Sequence, residues 1–153
     1  PVFVKLNSED RLQGGLANDE MLALCAMLEQ ASVDAIELSG GTILGLAMNN
    51  PAISFSPVGE EGVYWRAAAE RYKREIDVPL MLVGGVRSCE TAEALVEGGV
   101  ADYISLCRPL IREPALVSRW QAGDRRVADC VSDNGCVMAG VQGQGVHCPH
   151  LGS

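Results

Sequence analysis

The stretch from Pro79 to Pro114, PLMLVGGVRSCETAEALVEGGVADYISLCRPLIREP, most constrains what this chain can fold into. A short apolar run, Leu80 to Val83, ends at Gly84-Gly85. A helix-like segment follows, from Ser88 to about Glu97. A second apolar run, Tyr103 to Leu106, ends at Cys107-Arg108-Pro109. Two short buried strands, each followed by a helix, predict a β-α-β-α unit with parallel strands. Glycine lets backbone approach a neighbour where a Cβ would clash. The N–H groups of Gly85, Val86 and Arg87 stand where the next helix begins, and such groups with a helix dipole suit a phosphate. Arg108, at the matching end of the next strand, can add a charge-assisted contact. The plainer alternative is a pair of turn glycines and a solvated arginine. Two adjacent strand ends with ligand-suited residues favour the phosphate, which in βα barrels commonly sits after the last two strands.

The segment resembles the end of the barrel in the NADH:flavin oxidoreductase, or old yellow enzyme, family. There GG(I/V)R and a following GRP-like motif hold the phosphate of FMN. Gly84-Gly85-Val86-Arg87 matches the first. Cys107-Arg108-Pro109 matches the second, with Cys107 in the place of a small Gly or Ala. The resemblance implies Gly84, Gly85, Val86, Arg87, Cys107 and Arg108 as cofactor-binding residues, with a tighter phosphate pocket around the cysteine.

It extends along the chain. Pro1 to Leu6 reads as an apolar strand with Lys5 near its end. VKLNSEDRLQGG resembles the family's fifth-strand motif, whose basic residue lies beside the N1–C2=O edge of the flavin. Carried over, Lys5 both binds the cofactor and stabilises negative charge on its reduced form, the one catalytic residue so implied. A cation acts most strongly on a developing anion where water is excluded. The plainer alternative for Lys5 is a surface group. Asn18 is expected to cap a helix running to about Ala31, with Met21, Leu22, Leu24, Cys25, Met27 and Leu28 on its apolar face. VDAIELSGG, from Val33, matches the family's sixth strand and its glycine-rich exit; Glu37 faces either the barrel or a polar layer. Thr42 to Gly62 reads as a long loop, and Glu60 to about Glu75 as a helix.

Four βα units are thus expected, with strands near 2–6, 33–38, 80–83 and 102–106 and a last helix over about Glu113 to Ala122. The fold class is α/β: the C-terminal half of a TIM (β/α)8 barrel over residues 1–123, plus an irregular Cys-containing tail over 124–153. The first residue is Pro1 and the strand begins at once, so the chain is expected to be cut from something longer, or processed. Four units leave two edge strands and an open face. Self-association through the half-barrel edges is expected.

The tail holds Cys130, Cys136 and Cys148, with His147 and His150. Cysteines so spaced suggest a metal or cluster. Iron–sulfur members of the family, of the trimethylamine dehydrogenase and dienoyl-CoA reductase type, carry a four-cysteine motif here. Three of its places are filled and Asp133 stands in the second. Carboxylate is a harder ligand than thiolate. An iron–sulfur cluster, a zinc site using His147 or His150, and a metal-free remnant remain open.

With a formal charge of -8, the chain is not expected to partner nucleic acid or an anionic membrane. Cys25, Cys89 and Cys107 lie within apolar or helical segments, unlike a disulfide framework, and predict a reduced, cytoplasmic protein. The function the resemblance implies is FMN-dependent oxidoreduction, with NAD(P)H as donor and a small-molecule acceptor. The alternatives are a non-catalytic phosphate-binding half-barrel and an unrelated phosphate-site barrel enzyme.

Overall fold

The computed structural model describes residues 1–42 and 62–151. Its centre is a four-stranded parallel sheet in the order β1-β2-β3-β4. The strands are β1 Phe3–Asn7, β2 Ala35–Ser39, β3 Leu80–Val83 and β4 Tyr103–Ser105. Sequence patterning found all four. Its bounds shift by a residue or two, because pairing rather than hydropathy ends a strand. β1 reaches Asn7 because Asn7 pairs with Ser39. β4 stops at Ser105, the partner of Val83.

The helices are α1 Asn18–Gln30, α2 Arg66–Glu75, α3 Cys89–Glu97, α4 Arg108–Arg112, α5 Leu116–Gln121 and α6 Gly135–Val141. Ser88 caps α3: its Oγ accepts the Thr91 N–H at 3.1 Å. The expected Asn18 cap is not formed. Ala17 is the N-cap, its N–H donating to Glu20 Oε2 at 2.9 Å. The Asn18 amide turns instead to Glu9. The helix expected over Glu113 to Ala122 is α5, Leu116–Gln121, and a further short helix, α4, precedes it, the two separated around Pro114. Proline lacks an N–H and pushes the preceding residue out of the helical region, and Glu113 is extended at φ −131°. The tail, expected to be irregular, contains α6. The helix expected from Glu60 begins at Arg66, after non-helical residues 62–65. Most of the long loop expected over Thr42 to Gly62 lies outside the described residues.

One face of the sheet carries the core. Ile36, Leu38, Leu80 and Leu82 are fully buried under the helices. Burying each contributes roughly 1.5–3 kcal/mol. Met21, Leu22 and Cys25 meet them from α1, and Ala68, Ala69 and Tyr72 from α2. The buried stripe of α1 is narrower than expected: Met27 is 64 % exposed and Leu24 borders on solvent. Burial pushes the Cys25 thiol up to about 11, reinforced by Glu29, so it packs as a small hydrophobe. The Tyr72 hydroxyl donates to the Val78 carbonyl at 2.9 Å. A second cluster joins Leu116, Trp120 and Ala128, where the segment after α5 packs back on the helices.

Among the described residues, no helix covers the other face, the one that would line a closed barrel. Phe3 and Tyr103, on the two edge strands, are about three-fifths exposed. No helix among the described residues is long and apolar enough to cross a membrane.

Asp102 ties the entry of β4 to its neighbours. Its carboxylate accepts the Leu80 N–H at 2.7 Å and the Lys73 ammonium at 2.7 and 2.9 Å. Burial opposes its ionisation, but these hydrogen bonds outweigh it and hold its pKa below the usual 3.8. The stability it contributes is therefore present above that value and lost as pH falls below it. Asp102→Asn is expected to cost about 1 kcal/mol in urea unfolding at neutral pH. The gap between parent and variant should close well below pH 3.8; an undiminished gap in acid would contradict the assignment.

Candidate functional site

Parallel strands put the C-terminal ends of β1 to β4 on one rim. There β3 gives way to Gly84 and Gly85, with φ of 121° and 84°, and β4 to Cys107 and Arg108. Both exits line one small cavity of about 60 Å³. Gly85, Val86, Arg87, Cys107, Arg108 and Ser132 contribute to it. That is several times the roughly 10–15 Å³ one water needs, room for a phosphate-sized group. Among the described residues, no acceptor takes the N–H groups of Gly85, Val86 or Arg87. Consecutive free N–H groups form an anion-binding concavity. The loop supplies it, not the end of α3, which Ser88 already caps.

Three observations bear on the residues expected at the phosphate. First, the glycines make room for a close approach within the chain itself. A Cβ on Gly85 would lie 1.7 Å from the Gly62 carbonyl oxygen, and one on Gly84 would press on Tyr64 and Trp65. A Cβ on Gly40 would meet the same Trp65 ring at 2.6 Å. Gly40, Gly84 and Gly85 thus seat the segment that leads into α2. The Tyr64 N–H donates to the Gly84 carbonyl at 3.2 Å, fixing that crossing. Second, the Arg87 guanidinium turns away to the tail, donating to the Cys130 carbonyl at 2.8 Å. The Arg87 carbonyl accepts from Ala128. Arg87 still lines the small cavity. Third, Cys107 lines the cavity from an exposed position at the start of α4.

Arg108 does face the cavity and is held there. Its Nη1 donates to Asn134 Oδ1 at 2.7 Å, and its Nη2 to the Tyr64 hydroxyl at 3.2 Å. Asn134 is buried and left-handed at φ 61°. Tyr64, Trp65 and Asn134 escaped the sequence reading. No local motif marks them, since their partners lie 26 residues or more away for Asn134 and 44 for Tyr64.

Lys5 is not the last residue of its strand. It stands one inward-facing row below the rim residue Asn7, roughly 6–7 Å lower by the strand rise. Its ammonium pairs with Glu37 Oε1. Glu37 Oε2 in turn accepts the Ser105 hydroxyl at 3.0 Å.

The tail cysteines share a second cavity of about 280 Å³. Cys130, Cys136 and Cys148 line it with Arg108, Arg112 and His150. His147 does not reach it and stands beside the Gly145 carbonyl. Burial pushes the Cys136 thiol above its ordinary value. The Asp133 carboxylate is held below the usual range by His150, 2.6 Å away, and by the Gly135 N–H. Among the described residues, no three His, Cys, Asp or Glu side chains converge on a single ion. Arg108 lines both cavities and so separates them.

No protein-family model matches the chain. Curated relatives do. The chain is 33 % identical over 133 residues to a bilirubin reductase of Mediterraneibacter gnavus, covering 84 % of this chain and 20 % of the relative. It is 32 % identical over 122 residues to an NADH-dependent flavin oxidoreductase of Neonectria sp., covering 75 % of this chain and 16 % of that one. The chain spans about a fifth of the length of the bilirubin reductase and no more than 40 % of any of these curated relatives. In fold it superposes on part of a 2-naphthoyl-CoA reductase, with a TM-score of 0.75 over 93 % of this chain and 21 % of that one, at 23 % identity. It also matches an old yellow enzyme homologue of Zymomonas mobilis, with a TM-score of 0.54 over 82 % of this chain and 32 % of that one, at 20 % identity.

Proposed function

We propose that this chain, a relative of NADH-dependent flavin oxidoreductases with the fold of part of an old-yellow-enzyme barrel, supplies the FMN phosphate clamp of such an enzyme. The observation that carries this is the run of unpartnered N–H groups at Gly85, Val86 and Arg87 beside the braced Arg108. Gly84 and Cys107 complete the cavity wall. A phosphate there would take hydrogen bonds from the loop and a charge-assisted one from Arg108. Lys5, in the inward-facing row of β1, would stand toward the flavin ring and favour negative charge on it. When bound, FMN would supply hydride transfer from a reduced nicotinamide, NADH or NADPH, to a small-molecule acceptor. The protein's part is to hold the cofactor and set the charge around it. Residues 1–123 would form the half-barrel and 124–153 the tail that braces it, in a soluble, cytoplasmic setting.

Titration with FMN and with riboflavin, followed by flavin fluorescence, tests the clamp. FMN is expected to bind at least tenfold more tightly than riboflavin. Arg108→Ala should weaken FMN by roughly 10- to 100-fold, the worth of a hydrogen bond to a charged group, and leave riboflavin unchanged. Equal binding of both flavins would reject the phosphate site.

The tail favours the metal-free reading. Asp133, in the place of the second cysteine, is committed to His150 and the Gly135 N–H rather than to the cavity's thiols. An iron and zinc assay on anaerobically purified protein is expected to find both far below one equivalent. Stoichiometric iron would restore the cluster, and stoichiometric zinc the zinc site.

A second reading has an observation of its own. The open sheet face and the exposed Phe3 and Tyr103 on its edges favour a half-barrel that works only when covered. Self-association of two copies would pair β1 of one with β4 of the other. Sedimentation is expected to show a dimer at high concentration; a compact monomer would end that reading.

A further inference from the structure

The inward-facing row of the sheet runs Lys5, Glu37, Met81, Tyr103, each paired with the next across the strands. In this row Glu37 makes contacts on both sides. One carboxylate oxygen takes the Lys5 ammonium from β1. The other takes the Ser105 hydroxyl, at 3.0 Å, from β4. A single carboxylate therefore spans the sheet from one edge strand to the other, passing over β3. The Glu37 side chain is 23 % exposed, against 60 % for Lys5.

We infer that Glu37 is the positioning residue of Lys5: it holds the lysine ammonium against the inward face of the sheet, where the proposed flavin needs a cation. This rests on the flavin reading above only for what Lys5 does, not for the contact itself. The physical case is one of freedom. A lysine side chain has a long, flexible stem with many rotamers to lose on being held in one place. At 60 % exposure an isolated ammonium is dispersed through solvent, and a solvated ion pair by itself adds little stability. Glu37 differs from a casual surface partner because it is fixed at both ends. Its backbone lies in an inner strand of the sheet, between β1 and β3, and its second oxygen is held by Ser105. The lysine inherits that fixed position. Such a carboxylate does two opposed things to a nearby flavin. Its own charge disfavours reduction, whereas the cation it anchors favours reduction. A positioning role means that the second effect wins.

The sign of a measured potential separates the two. The midpoint potential of FMN bound to the full chain is compared in the parent, Lys5→Met, Glu37→Ala and the double variant. If Glu37 acts through Lys5, Glu37→Ala lowers the potential although it removes a negative charge. The expected change is roughly tenfold in the oxidised-to-reduced equilibrium, about 30 mV for a two-electron couple. It should match the direction of Lys5→Met, with no further fall in the double variant. Glu37→Gln, whose amide can still meet Lys5 and Ser105, should recover part of the loss. A raised potential in Glu37→Ala, or additive effects in the double variant, would overturn the inference. A second arm needs no flavin. The Lys5 ammonium signal in nitrogen-15 NMR of the flavin-free chain should be resolved in the parent and lost to exchange in Glu37→Ala. An unchanged signal also overturns it. If the parent takes up no FMN, the flavin reading fails by itself, and the NMR arm decides the Lys5–Glu37 assignment.

Discussion

Parallel pairing is the constraint from which the rest of this structure follows. Each parallel neighbour needs a crossover, and the crossovers here place helices over one face of the sheet. That face holds Ile36, Leu38, Leu80 and Leu82, all fully buried. The same pairing sends every strand toward one rim, so the exits of β3 and β4 lie side by side. A loop with free N–H groups and an arginine from the next exit then share a cavity without any long-range design in the loops themselves. It also leaves the opposite face unpaid for. Parallel sheets are normally covered on both sides, and among the described residues this one leaves Lys5, Glu37 and Ser105 on the face away from the helices.

The two arginines of the phosphate motifs divide their work. Arg87 reaches the Cys130 carbonyl, while its own backbone carbonyl holds Ala128. Arg108 reaches Asn134 and Tyr64. Between them they fasten the Cys130–Asn134 segment against the rim. The tail is therefore part of the site's scaffold whether or not it holds a metal. Arg108 gains rigidity from this arrangement, since a guanidinium fixed by two partners loses less freedom on meeting an anion.

Much of this was legible in the chain. The strands announced themselves as short apolar runs, three of them before glycine or Cys-Arg-Pro, and the order of motifs carried the family likeness. What escaped was set by distance. Nothing near Gly84 or Gly40 says that one indole, Trp65, rests on both. Nothing near Arg108 says that Asn134 holds it. Glu37 was visible as a charge in an apolar strand, but its role needed the register that lays Lys5 beside it and Ser105 within reach. The short helix α4 was missed because Cys107-Arg108-Pro109 read as a strand exit, whereas the chain already turns helical at Arg108.

The central claim is that the loop after β3 grips a phosphate through its backbone. Amide NMR of the chain titrated with FMN, and then with inorganic phosphate, addresses it directly. The account predicts that the Gly85, Val86 and Arg87 amide signals move most with both, downfield as hydrogen bonds form. Shifts confined to other parts of the chain, or none at these three amides, would contradict it.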